Sequence, residues 1–419
     1  MPLITRHITP RIRQFLAASP VVFLNGARQA GKSTLVHQLI DELGSAQGPA
    51  RYVSFDKPTV MASAASAPES FLKIGDGTLI IDEVQMVPEI FRALKVVVDE
   101  LRFEDPSSVQ GRFLLTGSAN ILAFPRLSEA LVGRMSVLTL YPLSTAEAIG
   151  SKGVGLDRLW QQDFSGMSNP GLGLTDAIKL ASFPEIHRAT QEHREIWFDG
   201  YLNTLLQRDI RMFADLEKAS LLPQLLRILA VRAGGLINDS DIARELGMNS
   251  VSEKSYRNTL KMMFLNMDVP SWHRNIGKRL VKAHKGYLSD TMMQAYLLGV
   301  DIDQLPENRP ELFGHLVENF VATELLKLMS VSEERATLHH FRTSDHYEVD
   351  FVLERPDGSI FGVEVKSGSQ VSAQDFKGLS TLAVLAGGSF RGGIVLYAGE
   401  EVLPFGEKLW AVPFRVLWQ

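Results

Sequence analysis

The run Gly26-Ala27-Arg28-Gln29-Ala30-Gly31-Lys32-Ser33-Thr34 has the spacing of a phosphate-binding loop and directly follows the apolar residues Val21 to Leu24. Glycines at both ends let the backbone bend so that successive N–H groups face a di- or triphosphate. In that arrangement Lys32 reaches the outer phosphates and the Ser33 hydroxyl helps hold Mg²⁺. A second apolar run, Thr78 to Ile81, ends in Asp82-Glu83. At the carboxyl edge of a buried parallel strand, Asp82 would hold the Mg²⁺ hydration shell and Glu83 would polarise the water that attacks a γ-phosphate. Capping of the following helix is the other role open to the two acids. A third run, Gly111 to Leu115, leads into Thr116-Gly117-Ser118-Ala119-Asn120. Thr116, Ser118 or Asn120 could sense the γ-phosphate or align the water, although turn chemistry alone selects the same residues. Arg134 could stabilise transition-state charge in its own subunit or in a neighbour's, or form a structural ion pair.

A separate set of chemistry-bearing residues lies near the end of the chain, in Glu348-Val349-Asp350 and Glu364-Val365-Lys366. Between them, Pro356-Asp357-Gly358 favours a type I turn followed by a left-handed residue. That three-residue loop pairs Arg355 with Ser359 and sets Asp350 opposite Glu364, with Lys366 on the same face. A two-residue Asp-Gly loop would slip the register and part the two carboxylates. Two acids and a lysine on one face can bind Mg²⁺ and orient a water for phosphodiester attack. The pattern resembles the PD-(D/E)xK nuclease-like superfamily. The resemblance implies Glu318, in the helical run Glu311 to Met329, as a helix-borne acid and Gln370 or Gln374 as further site residues. Many members of that superfamily keep the fold for binding or assembly without cleaving.

In the middle of the chain, Ile237 to Met248 has a helix N-cap, apolar residues at helical spacing and a stop at Gly247, and Ser252 to Met263 makes a second helix. The two suggest helix-turn-helix geometry. The following stretch, Trp272 to Lys285, carries five basic residues and no acid, with alternation that suits the wing of a winged helix. Lys254, Arg257 and Lys261 on the second helix, with Arg274, Lys278, Arg279 and Lys282 beyond it, form a candidate DNA-contacting face. A packing module with a solvated basic edge is the alternative.

These sites need a scaffold, and 419 residues suffice for two or three domains. The content is 45% hydrophobic, the net charge is −5, and there is no cysteine, which excludes disulfides, thiolate zinc sites, iron–sulfur clusters and cysteine nucleophiles. No apolar run approaches the length of about 18 residues needed to span a bilayer, and the first residues lack a signal-peptide core. A cytoplasmic protein without a membrane partner is expected.

Arg28-Gln29, Ile80 to Gln85, Leu115 to Ser118, Gly133-Arg134 and Tyr141-Pro142-Leu143-Ser144 together resemble a bacterial and archaeal family of AAA-type ATPases with a C-terminal domain of unknown function, DUF4143. Phe183-Pro184-Glu185 and Tyr201 to Asp209 also fit that family, as core packing or as a relay of nucleotide state. The resemblance implies ATP binding and hydrolysis. The expected architecture is α/β throughout: an AAA-type P-loop NTPase sheet over residues 1–150, a region 151–307 opening with a linker and holding a winged-helix-like module at about 225–295, and an α/β restriction-endonuclease-like domain over 308–419. The expected activity is Mg-dependent ATP hydrolysis coupled to DNA binding or remodelling. If Arg134 acts in trans, the active form is a homo-oligomer, with a hexameric ring as one form. The alternatives are a regulatory switch gating a protein partner and an ATP-regulated nuclease.

Overall fold

The computed structural model describes residues 3–46, 49–105, 109–118, 133–153, 155–165, 171–209, 219–279 and 282–419, without the side chains of 44–46, 208, 209, 276 and 278. Two compact units result, one of Arg6–Pro142 with Met262–Phe264, the other of Met1–Thr5, Leu143–Lys261 and Leu265–Gln419. The middle and C-terminal segments, expected as separate domains, thus belong to one unit.

The first unit is built on a parallel sheet in the order β2-β3-β4-β1-β5, with β1 Val21–Asn25, β2 Arg51–Ser54, β3 Leu79–Asp82, β4 Phe113–Gly117 and β5 Met135–Thr139. The inner strands β1, β3 and β4 are buried along their whole length, whereas the edge strands β2 and β5 are partly exposed. Continuous apolar runs are what a sheet covered on both faces demands. Helix α1, Lys32–Ala46, follows β1 through the glycine loop, and α2, Glu89–Glu104, follows β3. Along α2 the residues Ile90, Phe91, Leu94, Val97 and Val98 are buried at helical spacing, in one core with Phe23, Ile81 and Phe113.

Because every strand runs the same way, Asn25, Asp82 and Gly117 end at one edge of the sheet. The placement of β4 between β1 and β3 sets Thr116 and Gly117 between the glycine loop and the two acids. Arg134 precedes β5, whose Met135 is in register with Val21, so it stands at the opposite edge.

In the second unit, α3 Asp239–Glu245 and α4 Ser250–Met262 are followed by an antiparallel ribbon of β6 Asn266–Val269 and β7 Lys285–Leu288. Between the strands, where β-like alternation is expected, lies a helical turn, α5 Ile276–Arg279. The expected linker also departs from the reading: helix Gly155–Gln161 buries Leu156, Leu159 and Trp160.

The long helix α6, Pro310–Val331, starts on a proline suited to a first helical turn. It precedes a mixed sheet in the order β12-β13-β11-β10-β9-β8, with β8 Thr337–Arg342, β9 Glu348–Glu354, β10 Ile360–Lys366, β11 Phe390–Tyr397, β12 Leu403–Gly406 and β13 Leu409–Pro413. Helix α7, Lys377–Ala386, buries Leu379 and Leu382 in the same core as Val349, Val352 and Val395.

The β9–β10 hairpin has the expected register. Arg355 N–H donates to the Ser359 carbonyl at 2.9 Å, Gly358 takes a φ of +80°, and the ladder runs from Ile360↔Glu354 to Val363↔Phe351. One further step places Asp350 across from Glu364.

Candidate functional site

The glycine loop closes tightly on itself. Gly26 has a φ of +148°, and a Cβ there would collide with the Leu140 carbonyl oxygen. Gln29 is left-handed at φ +61° and Gly31 at +95°, so the chain doubles back before α1 begins at Lys32. Arg6 braces the turn by donating to the Ala30 carbonyl at 2.7 Å and to the Tyr141 carbonyl at 2.6 Å. The Lys32 ammonium donates to the Gly26 and Ala27 carbonyls at 2.9 and 2.8 Å. Burial lowers its pKa to about 8, against the pull of Glu83 and Asp82. Ser33 is half-buried at the start of α1, where the helix dipole favours anions.

Neutral donors hold the two acids. Asp82 accepts from the Tyr52 hydroxyl at 2.8 Å and from the Thr116 hydroxyl. Tyr52, its ring 4.1 Å from that of His37, is pushed well above the usual phenol range by burial and by Asp82. Glu83 has a left-handed backbone, φ +55°, and its N–H donates to the Thr116 hydroxyl at 3.2 Å. Its carboxylate accepts from the Gln85 amide and, at 3.2 Å, from the Ser118 hydroxyl. A non-glycine residue in this backbone region is strained, a feature that concentrates at functional sites. Tyr52 and Arg6 escape a motif search because their roles come from neighbouring strands and turns, and Gln85, part of the Ile80 to Gln85 motif, gains its role only from its contact with Glu83. Ser33 and Asp82 offer the oxygen ligands that suit Mg²⁺.

Arg134 does not reach this edge. It forms a two-pronged pair with Asp99 of α2, at 2.7 and 2.8 Å, which corrects the expectation that it serves the nucleotide of its own subunit. The intervening strand is five residues long, about 16 Å at strand rise. Asn120 lies outside the described residues.

In the second unit, the expected acids and Lys366 meet around a cleft of about 480 Å³. Asp350 accepts from the Val365 N–H at 3.0 Å, and Lys366 donates to Glu364 at 3.1 Å. Glu318 projects from α6 into the same cleft, and Gln370 and Gln374 are not among its lining residues. Three further residues join the cluster that the sequence reading did not assign to it: Lys285 and Tyr287 from β7, and Glu348 from β9. The Lys285 ammonium lies 2.7 Å from Glu348, 3.0 Å from Glu318 and 3.0 Å from Asp350. Tyr287 donates to Glu318 at 2.7 Å. Burial, then the charge of Asp350, pushes Glu318 and Glu364 above the ordinary carboxylate range. Burial alone would lower Lys285, but its three acid neighbours outweigh it and hold the ammonium charged. Among the described residues, no group of three or more His, Cys, Asp or Glu side chains is arranged to hold a metal ion.

The basic face is smaller than expected. Arg257 is buried and paired with Glu253, Asp239 and Asp268, and Arg279 makes a two-pronged pair with Glu354 beside the Trp272 ring. Both guanidiniums are already engaged by acids of the chain, which corrects their assignment as DNA contacts. Lys254, Arg274 and Lys282 are exposed, and Lys261 is exposed but 3.1 Å from Asp268. The Lys278 side chain lies outside those described. Instead of a free wing, the segment from Trp272 to Lys285 is tied to the C-terminal sheet: Arg279 to Glu354, Lys285 to Glu348 and Asp350, and Trp272 N–H to the His340 carbonyl at 2.6 Å. Phe183 and Tyr201 pack as core aromatics with ring centroids 5.1 Å apart. Among the described residues, no helix is long and apolar enough to cross a membrane.

Three family models match the chain. Residues 18–149 match the AAA domain, 174–304 a domain of unknown function (DUF8612) and 313–417 a domain of unknown function (DUF4143). An uncharacterised protein of Mycobacterium tuberculosis is 29% identical over 408 residues, 97% of this chain and 83% of that one. One from Haemophilus influenzae is 24% identical over 368 residues, 83% of each chain. Among solved structures, AMPPCP-bound DnaA from Aquifex aeolicus aligns at 12% identity over 62% of this chain and 89% of that one, with a TM-score of 0.27. Cdc6p from Pyrobaculum aerophilum aligns at 11% over 70% and 91%, also with a TM-score of 0.27. Likeness at that level carries no functional conclusion. The chain carries an AAA domain at its N-terminal end and a DUF4143 domain at its C-terminal end.

Proposed function

We propose that this protein is a Mg-dependent ATPase whose turnover is coupled to DNA binding or remodelling. The observation that carries the ATPase reading is the shared sheet edge, where Lys32 opens α1 beside Asp82 and Glu83 held by neutral donors. The loop N–H groups and the α1 N-terminus bind the phosphates, and Lys32 leaves the two loop carbonyls for the outer phosphates. Ser33 and Asp82 hold Mg²⁺, which offsets phosphate charge when bound. Glu83 orients the attacking water and accepts its proton, and Ser118 and Gln85 fix the carboxylate that does so.

Lys254, Lys261, Arg274 and Lys282 remain as the cationic surface that supports DNA contact. The pairing of Arg257 and Arg279 with acids favours a second reading, a regulatory ATPase that gates a protein partner. Turnover measured with single-stranded, duplex and branched DNA separates the two. Stimulation that falls with salt, and is absent in Lys32→Ala and Glu83→Gln, supports the DNA reading. Equal turnover with and without DNA sinks it in favour of the switch.

If Arg134 serves a neighbouring copy in a homo-oligomer, for which a hexameric ring is one closed form, it does so by exchanging its pair with Asp99 for the neighbour's nucleotide. Mixing Arg134→Ala with Glu83→Gln chains tests this. Restored turnover supports action in trans, and none in a mixture that co-elutes on gel filtration rejects it.

A further inference from the structure

The acids of the C-terminal cleft already have a cation. Lys285 is only 3% exposed, and each of its three N–H donors has a carboxylate within reach: Glu318 on α6 and Glu348 and Asp350 on β9. The second Asp350 oxygen is taken by the Val365 N–H, and one Glu364 oxygen by Lys366. We propose that Lys285 is the resident cation of this cluster, that its ammonium takes the place of a divalent metal, and that the centre recruits neither Mg²⁺ nor Mn²⁺. A divalent ion held by Asp350 and Glu364 would stand against an ammonium 3.0 Å from Asp350, and to enter it must displace that ammonium from Asp350. Without a metal no water is activated for phosphodiester attack. The cluster works as a clasp joining the β6–β7 ribbon, α6 and β9. This goes beyond the ATPase reading and does not depend on it.

The test is a Mn²⁺ titration of the nucleotide-free full-length chain, followed by electron paramagnetic resonance. Wild type and Asp350→Asn are expected to bind the same number of Mn²⁺ ions. Lys285→Met, which keeps the length of the side chain and removes its charge, is expected to bind one more per chain and to lose it again when Asp350→Asn is added. A Mn²⁺ ion in wild type that disappears with Asp350→Asn overturns the proposal. So does a folded Lys285→Met that binds no more than wild type, or Asp350-dependent nicking of supercoiled plasmid by wild type with Mn²⁺. If Lys285→Met does not fold, the comparison of wild type with Asp350→Asn decides by itself.

Discussion

Both candidate sites bring acids together with a lysine, yet the charges are connected in opposite ways. In the first unit, Lys32 donates only to backbone carbonyls, while Asp82 and Glu83 are held by hydroxyls and an amide. Both signs of charge stay available to something that arrives. In the second unit, Lys285 and Lys366 donate directly to the acids. There, each ammonium is already bonded to carboxylates of the protein, and a newcomer must compete with bonds already made. Residue types alone do not separate a site poised for a charged ligand from one already bonded internally. The partner of each lysine does.

The widest test of this contrast is Glu83→Gln. It keeps size and hydrogen bonding but removes the base, so ATP binding should persist while kcat falls about 10²- to 10⁴-fold in a steady-state assay. Turnover close to wild type would remove Glu83 from the chemistry. Next come the two lysines, compared by urea unfolding. Lys285→Met removes the ammonium bonded to three acids and should cost about 3–5 kcal/mol. Lys32→Met removes a buried charge with no acid bonded to it, and should shift stability by less than about 1 kcal/mol while abolishing nucleotide binding. Equal losses in the two variants would erase the distinction.

Thr116→Val probes the neutral brace, since one hydroxyl donates to Asp82 and accepts from the Glu83 N–H. Its loss should cost about 1–3 kcal/mol, measured in the same way. The smallest effect is expected from Arg13→Gln at the half-exposed pair with Glu42. Such a pair contributes less than about 1 kcal/mol, which sets the scale for a charge contact open to water.

Much of the first site was legible because its parts are local. A glycine loop, an apolar run ending in Asp82-Glu83 and a turn at Thr116 to Ser118 each carry their signal within ten residues. The β9–β10 register was legible for the same reason, since Pro356-Asp357-Gly358 fixes it through turn geometry. Glu348 was within reach too: two residues before Asp350 on a strand, it shares its face. What the sequence concealed was the partner of each cation. Lys285 finds acids 33 to 65 residues away, and Arg279 finds Glu354 75 residues away. A run of basic residues looks the same whether its counter-charges are nucleic-acid phosphates or distant carboxylates of the same chain. For Arg134 the sequence left a catalytic role and a structural ion pair both open, and the pair with Asp99 appears only once the sheet is assembled and carries it to the far edge.

The origin of Lys285 also bears on where the chain can be cut. The DUF4143 match begins at residue 313, and Glu318, Glu348, Asp350 and Glu364 all fall inside it, but the ammonium that contacts three of them comes from residue 285. A fragment trimmed to the family boundary keeps the acids and leaves their counter-ion behind. Such a fragment would gain an appetite for divalent metal through truncation, and cleavage measured on it would describe the scissors rather than the intact chain.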